Sequence, residues 1–239
     1  PKRDWSSDVC SSDLIEHNQK DIPIEDFINK DLIHFSKYDC ERSVPCLVDG
    51  FKPSQRKVMY GTMLKNLKKS IKVAQLSAYV AEKSAYHHGE QSLNECIVSL
   101  AQDFVGSNNM NFLDPEGNFG SRLTGGDDHA SPRYIFTKMS DFMPLVFHYA
   151  DSALLSYMDD DGETIEPEFY VPVIPNILVN GCQGIGTGFS TRVPSYNPID
   201  IIANLRRKMR GEELEQMVPW FRGFIGRVEK VGDKYVTKG

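Results

Sequence analysis

The chain has 239 residues and a mass of 27.0 kDa, with 40% hydrophobic and 25% charged residues, the composition of a folded protein of one or two domains. No run approaches the ~18 apolar residues a membrane span requires, and no secretory signal opens the chain. A net charge of −6 on its own argues against a nucleic-acid partner, and five cysteines (Cys10, Cys40, Cys46, Cys96, Cys182) without a C-x-x-C pair read as reduced thiols of an intracellular protein.

Taken in chain order, residues 1–14 carry a doubled Ser-Ser-Asp and no apolar periodicity. They read as a translated adapter sequence or a disordered acidic tail, with folded protein expected from near Ile15. The chain opens on Pro1 and ends at Tyr235–Gly239 without a cap or turn signal, as a piece of a longer protein would. Asp26 precedes the apolar positions Phe27, Ile28, Leu32, Ile33 and Phe35, a short amphipathic helix. Pro53 suits a first helical turn, and that helix extends to about Leu64. A third helix is expected from Val73 to about Ser84, then a turn at Tyr86-His-His-Gly89. A fourth follows from Glu90, with Leu93, Ile97, Leu100 and Phe104 on one face. Two helices across a short glycine-containing turn form a helix-turn-helix pattern.

Residues 105–134 are rich in Gly, Asn and Asp and read as hairpins and loops, as the wing of a winged helix would. Leu154–Met158, a turn at Asp159–Gly162, and Glu168–Val179 read as strands. A last helix has Asn197 as N-cap, Pro198 in its first turn, basic residues in its last turns, and Gly211 beyond its end. The fold class is α+β, with an early helical domain.

Charge is segregated along this frame. Residues 50–90 hold eight cations (Lys52, Arg56, Lys57, Lys65, Lys68, Lys69, Lys72, Lys83) against Glu82 and Glu90, whereas residues 141–170 hold eight carboxylates and no Lys or Arg. That division fits one face toward a nucleic acid and one turned elsewhere, and equally a pair of solvated surfaces.

Four features carry possible chemistry. The run Gly181-Cys-Gln-Gly-Ile-Gly-Thr-Gly188 lacks a following helix and a Gly-Lys-Ser/Thr, so it reads as a tight β-turn and not a nucleotide loop; Ile185 on it has little to pack against. Asp159–Asp161 alternate faces in a strand and suit a solvated turn better than a cation site. His87 and His88 have no helical-spacing partner for a metal, and no metal site is expected. With Tyr86 and Ser92 they flank a helix N-terminus whose N–H groups favour phosphate. In Ser131-Pro-Arg-Tyr134 the phenol is a poor nucleophile unless a cation or base assists it, and in an extended strand Arg133 and Tyr134 would point apart.

Together, Arg42–Lys57 (RSVPCLVDGFKPSQRK), Lys72-Val-Ala-Gln-Leu, Tyr86-His-His-Gly-Glu90, Phe104–Asn109, Ser131-Pro-Arg-Tyr-Ile-Phe-Thr137 and Gly184-Ile-Gly-Thr-Gly188 strongly resemble the eukaryotic-type DNA topoisomerase II family, viral members included. The resemblance runs in order from about Asp26 to Arg227. It implies a winged-helix domain with the nucleophilic tyrosine over residues 15–172 and the start of an α/β tower domain over 173–239. By the same resemblance Tyr134 attacks a DNA phosphodiester and Arg133 stabilises the pentavalent phosphate. Lys52, Tyr86 and Ser92 contact DNA, Arg42, Arg56, His87 and His88 line the same phosphate track, and Ile185 wedges between base pairs. It further implies double-stranded DNA as substrate, a homodimer in the full-length enzyme, and Mg2+ and ATP bound mainly by a Toprim half and an ATPase domain not found in this chain. The fragment alone then binds and bends DNA without relaxing supercoils. The compartment is nuclear in a cell or a cytoplasmic factory for a virus. The rival reading is a non-catalytic winged-helix module that bends DNA. The loop Gly-Gly-Asp127-Asp128-His129 is more acidic than the family's lysine-containing loop, which suggests a steeper loss of affinity with salt.

Overall fold

A computed structural model describes residues 20–239, so the expected 1–14 tail lies outside the described residues. The first helical rod comprises α1 (Ile24–Phe27), a π-helical turn (Ile28–Leu32) and α2 (Ile33–Ser43), and it leaves Phe27, Ile28, Ile33 and Phe35 exposed. Three helices follow: α3 (Pro53–Leu64), α4 (Val73–Lys83) and α5 (Glu90–Ala101). Pro53 occupies the first turn of α3, where its missing N–H costs nothing, and Gln55 Oε1 accepts the Lys52 N–H at 2.9 Å.

These helices pack through Val58 and Met59, Val73, Leu76 and Val80, and Leu93 and Ile97, all fully buried. Each such side chain contributes roughly 1.5–3 kcal/mol on burial. Gly61 lets α3 approach α4, since a Cβ there would overlap the Val80 side chain. The period expected to reach Phe104 ends at Ala101, because Gln102 turns extended; Phe104 lies half-buried beyond the helix.

Strands β1 (Ile71–Lys72), β2 (Leu113–Glu116) and β3 (Phe136–Met139) form an antiparallel sheet in the order β1-β3-β2, with Lys72 opposite Phe136 and Glu116 opposite Phe136 on the other side. Phe112, Leu113 and Ile135 carry it onto the helices. Beyond it, a short helix α6 (Met143–Val146) and a 3-10 turn (Tyr149–Leu154) bring Phe147 into an aromatic cluster with Phe51, Phe112 and Tyr170, ring centroids 5.4–5.8 Å apart.

The hairpin of β4 (Tyr157–Asp160) and β5 (Glu163–Pro167) starts later than the expected Leu154, which belongs to the 3-10 turn. Glu168–Val179 is not a strand. Pro172 and Pro175 remove ladder donors, the stretch runs irregularly, and it ends in a one-turn helix α7 (Asn176–Val179). Next come the hairpin β6 (Cys182–Gly186)–β7 (Phe189–Val193), helix α8 (Pro198–Met209) and the hairpin β8 (Arg227–Val231)–β9 (Lys234–Lys238). Asn197 caps α8 as its sequence indicates, accepting the Ile199 N–H at 3.0 Å, and Gly211 follows at φ +74°.

Two buried polar side chains join the parts. Asn109 donates to Val179 O (2.9 Å) and Trp220 O (3.0 Å) and accepts from Arg222 N–H (2.9 Å). Asp49, fully buried, accepts from Phe51 N–H, Tyr170 N–H and Arg56, while its carbonyl accepts from Asn176. No described helix is long and apolar enough to cross a membrane.

Candidate nucleic-acid interface

The hairpin β6–β7 is docked on α2. Thr187 Oγ1 donates to Asp39 Oδ2 at 2.9 Å, the Cys40 thiol donates to Thr187 O at 3.4 Å, and a Cβ at Gly184 would overlap the Ser43 carbonyl. The Thr187 hydrogen bond and then that of Ser43, against some desolvation, hold the Asp39 carboxyl below the usual range. Ile185 pairs with Ser190 near the hairpin tip and stands 70% exposed. The glycine run is therefore a hairpin, as its sequence indicates, and not a strand–loop–helix phosphate cradle.

Between this hairpin and helices α3 and α5 lies a cleft of about 380 Å³, lined by Arg42, Lys52, Ser92 and Gln183 among others. Lys52 stands at the start of α3, Ser92 in the exposed first turn of α5, and Arg42 in the last turn of α2. Cys96 also lines it, its thiol pushed up to about 12 by burial and so protonated. Tyr86 and His88 join the neighbourhood of Arg42. The rings of Tyr86 and His88 meet edge-on at 5.3 Å, His88 Nε2 lies 3.4 Å from the Tyr38 hydroxyl, and the Arg42 guanidinium sits 5.9 Å over the Tyr38 ring. Desolvation, then the charges of Arg42, His87 and Lys57, depress the His88 pKa.

Two residues expected on this track are engaged elsewhere. Arg56 is only 6% exposed; its Nε donates to Asp49 Oδ2 at 2.7 Å and its Nη2 to Asp49 Oδ1 at 3.1 Å and Phe51 O at 3.2 Å. It braces the turn that presents Lys52. His87 Nε2 faces Asp160 Oδ2 at 3.2 Å.

The acidic segment is thus not turned wholly away from the basic one. Its β4–β5 hairpin folds onto α3 through Lys57–Glu166 (2.7 Å) and Tyr60 hydroxyl to Thr164 O (3.2 Å). Lys57 also donates to Ser84 O, fixing the turn that leads to Tyr86. Glu166, buried beside Lys57, is legible in the sequence only as one carboxylate in an acidic run.

Arg133 and Tyr134 lie on the segment 117–135 that joins β2 to β3, and they do not line the cleft. They occupy a turn over 132–134, not an extended strand, with Tyr134 N–H donating to Ser131 O at 2.8 Å. Two N–H groups of the first turn of α4, Val73 and Ala74, donate to Ile135 O (3.0 Å) and Pro132 O (3.1 Å). The turn is thereby stapled to a helix N-terminus, with Arg133 exposed and Tyr134 76% exposed. Among the described residues no three His, Cys, Asp or Glu side chains converge to hold a metal ion.

Residues 42–239 match the family model of the DNA gyrase/topoisomerase IV A-subunit. The chain is 52% identical over its full length to DNA topoisomerase 2 of Candida albicans, and 53% identical over 96% of its length to that of Saccharomyces cerevisiae, spanning 16% of either relative. A crystal structure of the Plasmodium falciparum topoisomerase II DNA-binding, cleavage and re-ligation domain matches 98% of the chain with a TM-score of 0.86 and 51% identity, the match covering 32% of that chain. An exposed Arg-Tyr turn, a cleft lined by Arg42 and Lys52 with Glu95, and an apolar hairpin tip thus occur on a backbone shared with that domain. The chain belongs to the DNA gyrase/topoisomerase IV A-subunit family and corresponds to part of the cleavage and re-ligation region of eukaryotic type II topoisomerases.

Proposed function

We propose that this chain is the nucleophile-bearing part of a type II topoisomerase that cuts and rejoins duplex DNA. Helices α3, α4 and α5 with the sheet β1-β3-β2 act as a winged helix, and the segment from about residue 173 opens a tower domain. The observation that carries this is the Arg133-Tyr134 turn: a phenol held out to solvent by a helix N-terminus, with a guanidinium next to it.

The Tyr134 oxygen attacks a backbone phosphorus and the P–O3′ bond breaks, leaving a 5′-phosphotyrosine link and a free 3′-hydroxyl. The phenolic proton passes to solvent and the 3′-oxygen gains one, so the step is neutral in protons and electrons. The reverse attack reseals the strand without an external energy source. Arg133 places a fixed positive charge beside the equatorial oxygens as negative charge accumulates there. Lys52, Arg42, Ser92, Tyr86 and His88 hold the backbone of the duplex along the cleft. Ile185 enters a base step, unstacking it at a cost of a few kcal/mol that the wider contact of bent DNA offsets.

Among the described residues no three His, Cys, Asp or Glu side chains converge on a metal site. In the full-length enzyme Mg2+ and ATP would be held by other parts of the polypeptide, and the protein would work as a homodimer, in the nucleus of a cell or the cytoplasmic factory of a virus.

The test replaces the matching segment of the full-length yeast relative with this chain, adds magnesium and duplex DNA, and denatures with SDS. A DNA-linked protein band that Tyr134→Phe abolishes supports the reading. A folded hybrid that bends DNA and gives no band supports the non-catalytic DNA-bending module instead.

A further inference from the structure

The segment 117–135 is exposed over most of its length, yet it is internally ordered in a way that a solvated loop does not require. Asn118 Oδ1 accepts the Gly120 N–H at 2.9 Å. The Asp128 carboxylate accepts the Ser121 N–H at 2.7 Å and the Thr124 hydroxyl on the same oxygen, and its own N–H returns to Thr124 Oγ1 at 3.3 Å. Across the loop, Asn118 Nδ2 donates to Asp128 O at 2.9 Å, and Ala130 N–H donates to Asn118 O at 2.9 Å.

Gln102, just past the end of α5, ties this knot to the helices by donating to Phe119 O (3.0 Å) and Gly126 O (3.4 Å). Packing inside is close enough that a Cβ at Gly120 would overlap the Gly126 carbonyl, and one at Gly126 would overlap the Gln102 amide. The Ala130 N–H bond of the knot falls directly before Ser131-Pro132-Arg133-Tyr134; the turn then closes on itself through Tyr134 N–H to Ser131 O, and α4 holds its Pro132 and Ile135 carbonyls.

We propose that Asp128, whose carboxylate closes the loop on Ser121 and Thr124, is a positioning residue for the nucleophile: the knot it closes braces the upstream side of the turn whose downstream side α4 fixes. The inference rests on the reading of Tyr134 as the attacking group. A carboxylate beside a cut phosphate is electrostatically unfavourable, and its value lies in the donors it gathers. Those donors, Thr124 first and then Ser121, lower the Asp128 pKa to about 2, so the knot stays closed at every pH at which DNA is handled.

Positioning and charge make opposite predictions for Asp128→Ala. Loss of the clamp loosens the turn and slows cleavage, whereas loss of one negative charge tightens DNA binding. The first arm uses the chain itself and does not depend on catalysis. Hydrogen exchange at the Ala130 and Tyr134 amides is expected to quicken ~10-fold or more in Asp128→Ala, to change little in Asp128→Asn, which keeps the acceptor oxygen, and to be unchanged in Asp127→Ala.

The second arm uses the yeast hybrid described above. At saturating DNA, Asp128→Ala is expected to slow adduct formation by ~10–100-fold, the cost of a misplaced reacting group, while DNA affinity stays equal or rises and Asp128→Asn restores most of the rate. Unchanged exchange at Tyr134 would overturn the proposal, as would a rate that falls only in step with affinity. A hybrid that forms no Tyr134-dependent adduct even with Asp128 intact would overturn the nucleophile reading, and the exchange arm would still decide the clamp.

Discussion

At the scale of single residues, Arg133, Tyr134 and Ile185 share one property: large side chains exposed to solvent on a turn or hairpin tip that neighbouring backbone bonds hold in place. Exposure of this kind contributes nothing to folding, so substitutions there should leave stability within about 0.5 kcal/mol and act on function alone. Arg133→Ala is expected to reduce the rate of strand cleavage by roughly 10²–10³-fold with little change in DNA affinity, the usual loss for one donor to a developing oxyanion. Single-turnover cleavage beside a binding titration separates the two. Ile185→Ala should abolish DNA bending, read by fluorescence transfer between labelled duplex ends, with the β6–β7 hairpin intact. Ile185 stands out in the sequence as an apolar residue with little to pack against, whereas Tyr134 is singled out only by the family resemblance; both side chains are exposed. Arg56, set on the phosphate track by the resemblance, is bound to the buried Asp49 seven residues earlier, a partner only the fold reveals.

At the scale of elements, the turn around Asp49 and the docking of β6–β7 on α2 set the shape of the cleft. Asp49→Ala leaves the Arg56 guanidinium buried without its carboxylate and strips two backbone N–H groups of an acceptor, so it should destabilise the fold by about 3–5 kcal/mol, measured by urea unfolding. Gly184→Ala would force the hairpin off Ser43 and Pro45 and should lower DNA bending while α3–α5 unfold as before. Asp39 links the same two elements, and its lowered pKa gives the sign: the hairpin contact is complete above the usual carboxylate range and is lost as pH falls through the depressed value.

Helices α3, α4, α5 and α8 are legible at nearly their observed limits, because apolar period, Pro53 and the Asn197 cap all act locally. The stretch 168–175 is not, since apolar residues spaced by Pro172 and Pro175 look like a strand while the prolines forbid a ladder. The Arg-Tyr turn escapes a sequence reading for a complementary reason, because its geometry is imposed by two N–H groups of α4, distant in sequence.

At the scale of the whole molecule, a chain of net charge −6 can still bind a polyanion because its charges are sorted in space. Part of the acidic hairpin is spent against Lys57 and His87, leaving Arg42 and Lys52 on the cleft against the single carboxylate Glu95. The acidic Asp127-Asp128 loop bears on salt dependence with a sign opposite to the one its composition first suggests. Each phosphate contact contributes about 0.9 to the slope of log affinity against log salt. A loop without its lysine therefore flattens the slope, and Lys52→Ala should flatten it further by about 1.

His88 supplies a pH signature. Its depressed pKa leaves it neutral at pH 7, and a phosphate beside it favours the imidazolium, so DNA affinity should rise as pH falls toward that depressed value. Folding stability should fall over the same range, because protonation opposes the burial that depressed the pKa. Binding titrations at several pH values, repeated with His88→Asn, check both signs.

The most direct measurement of the central claim is the identity of the atom that holds the DNA. The SDS-trapped adduct of the hybrid is digested with nuclease and trypsin, and the tyrosine bearing a nucleotide is located by mass spectrometry. The account predicts a nucleotide joined through its 5′-phosphate to Tyr134, in the peptide of residues 134–138. A nucleotide on any other side chain, or a link through a 3′-phosphate, would contradict it.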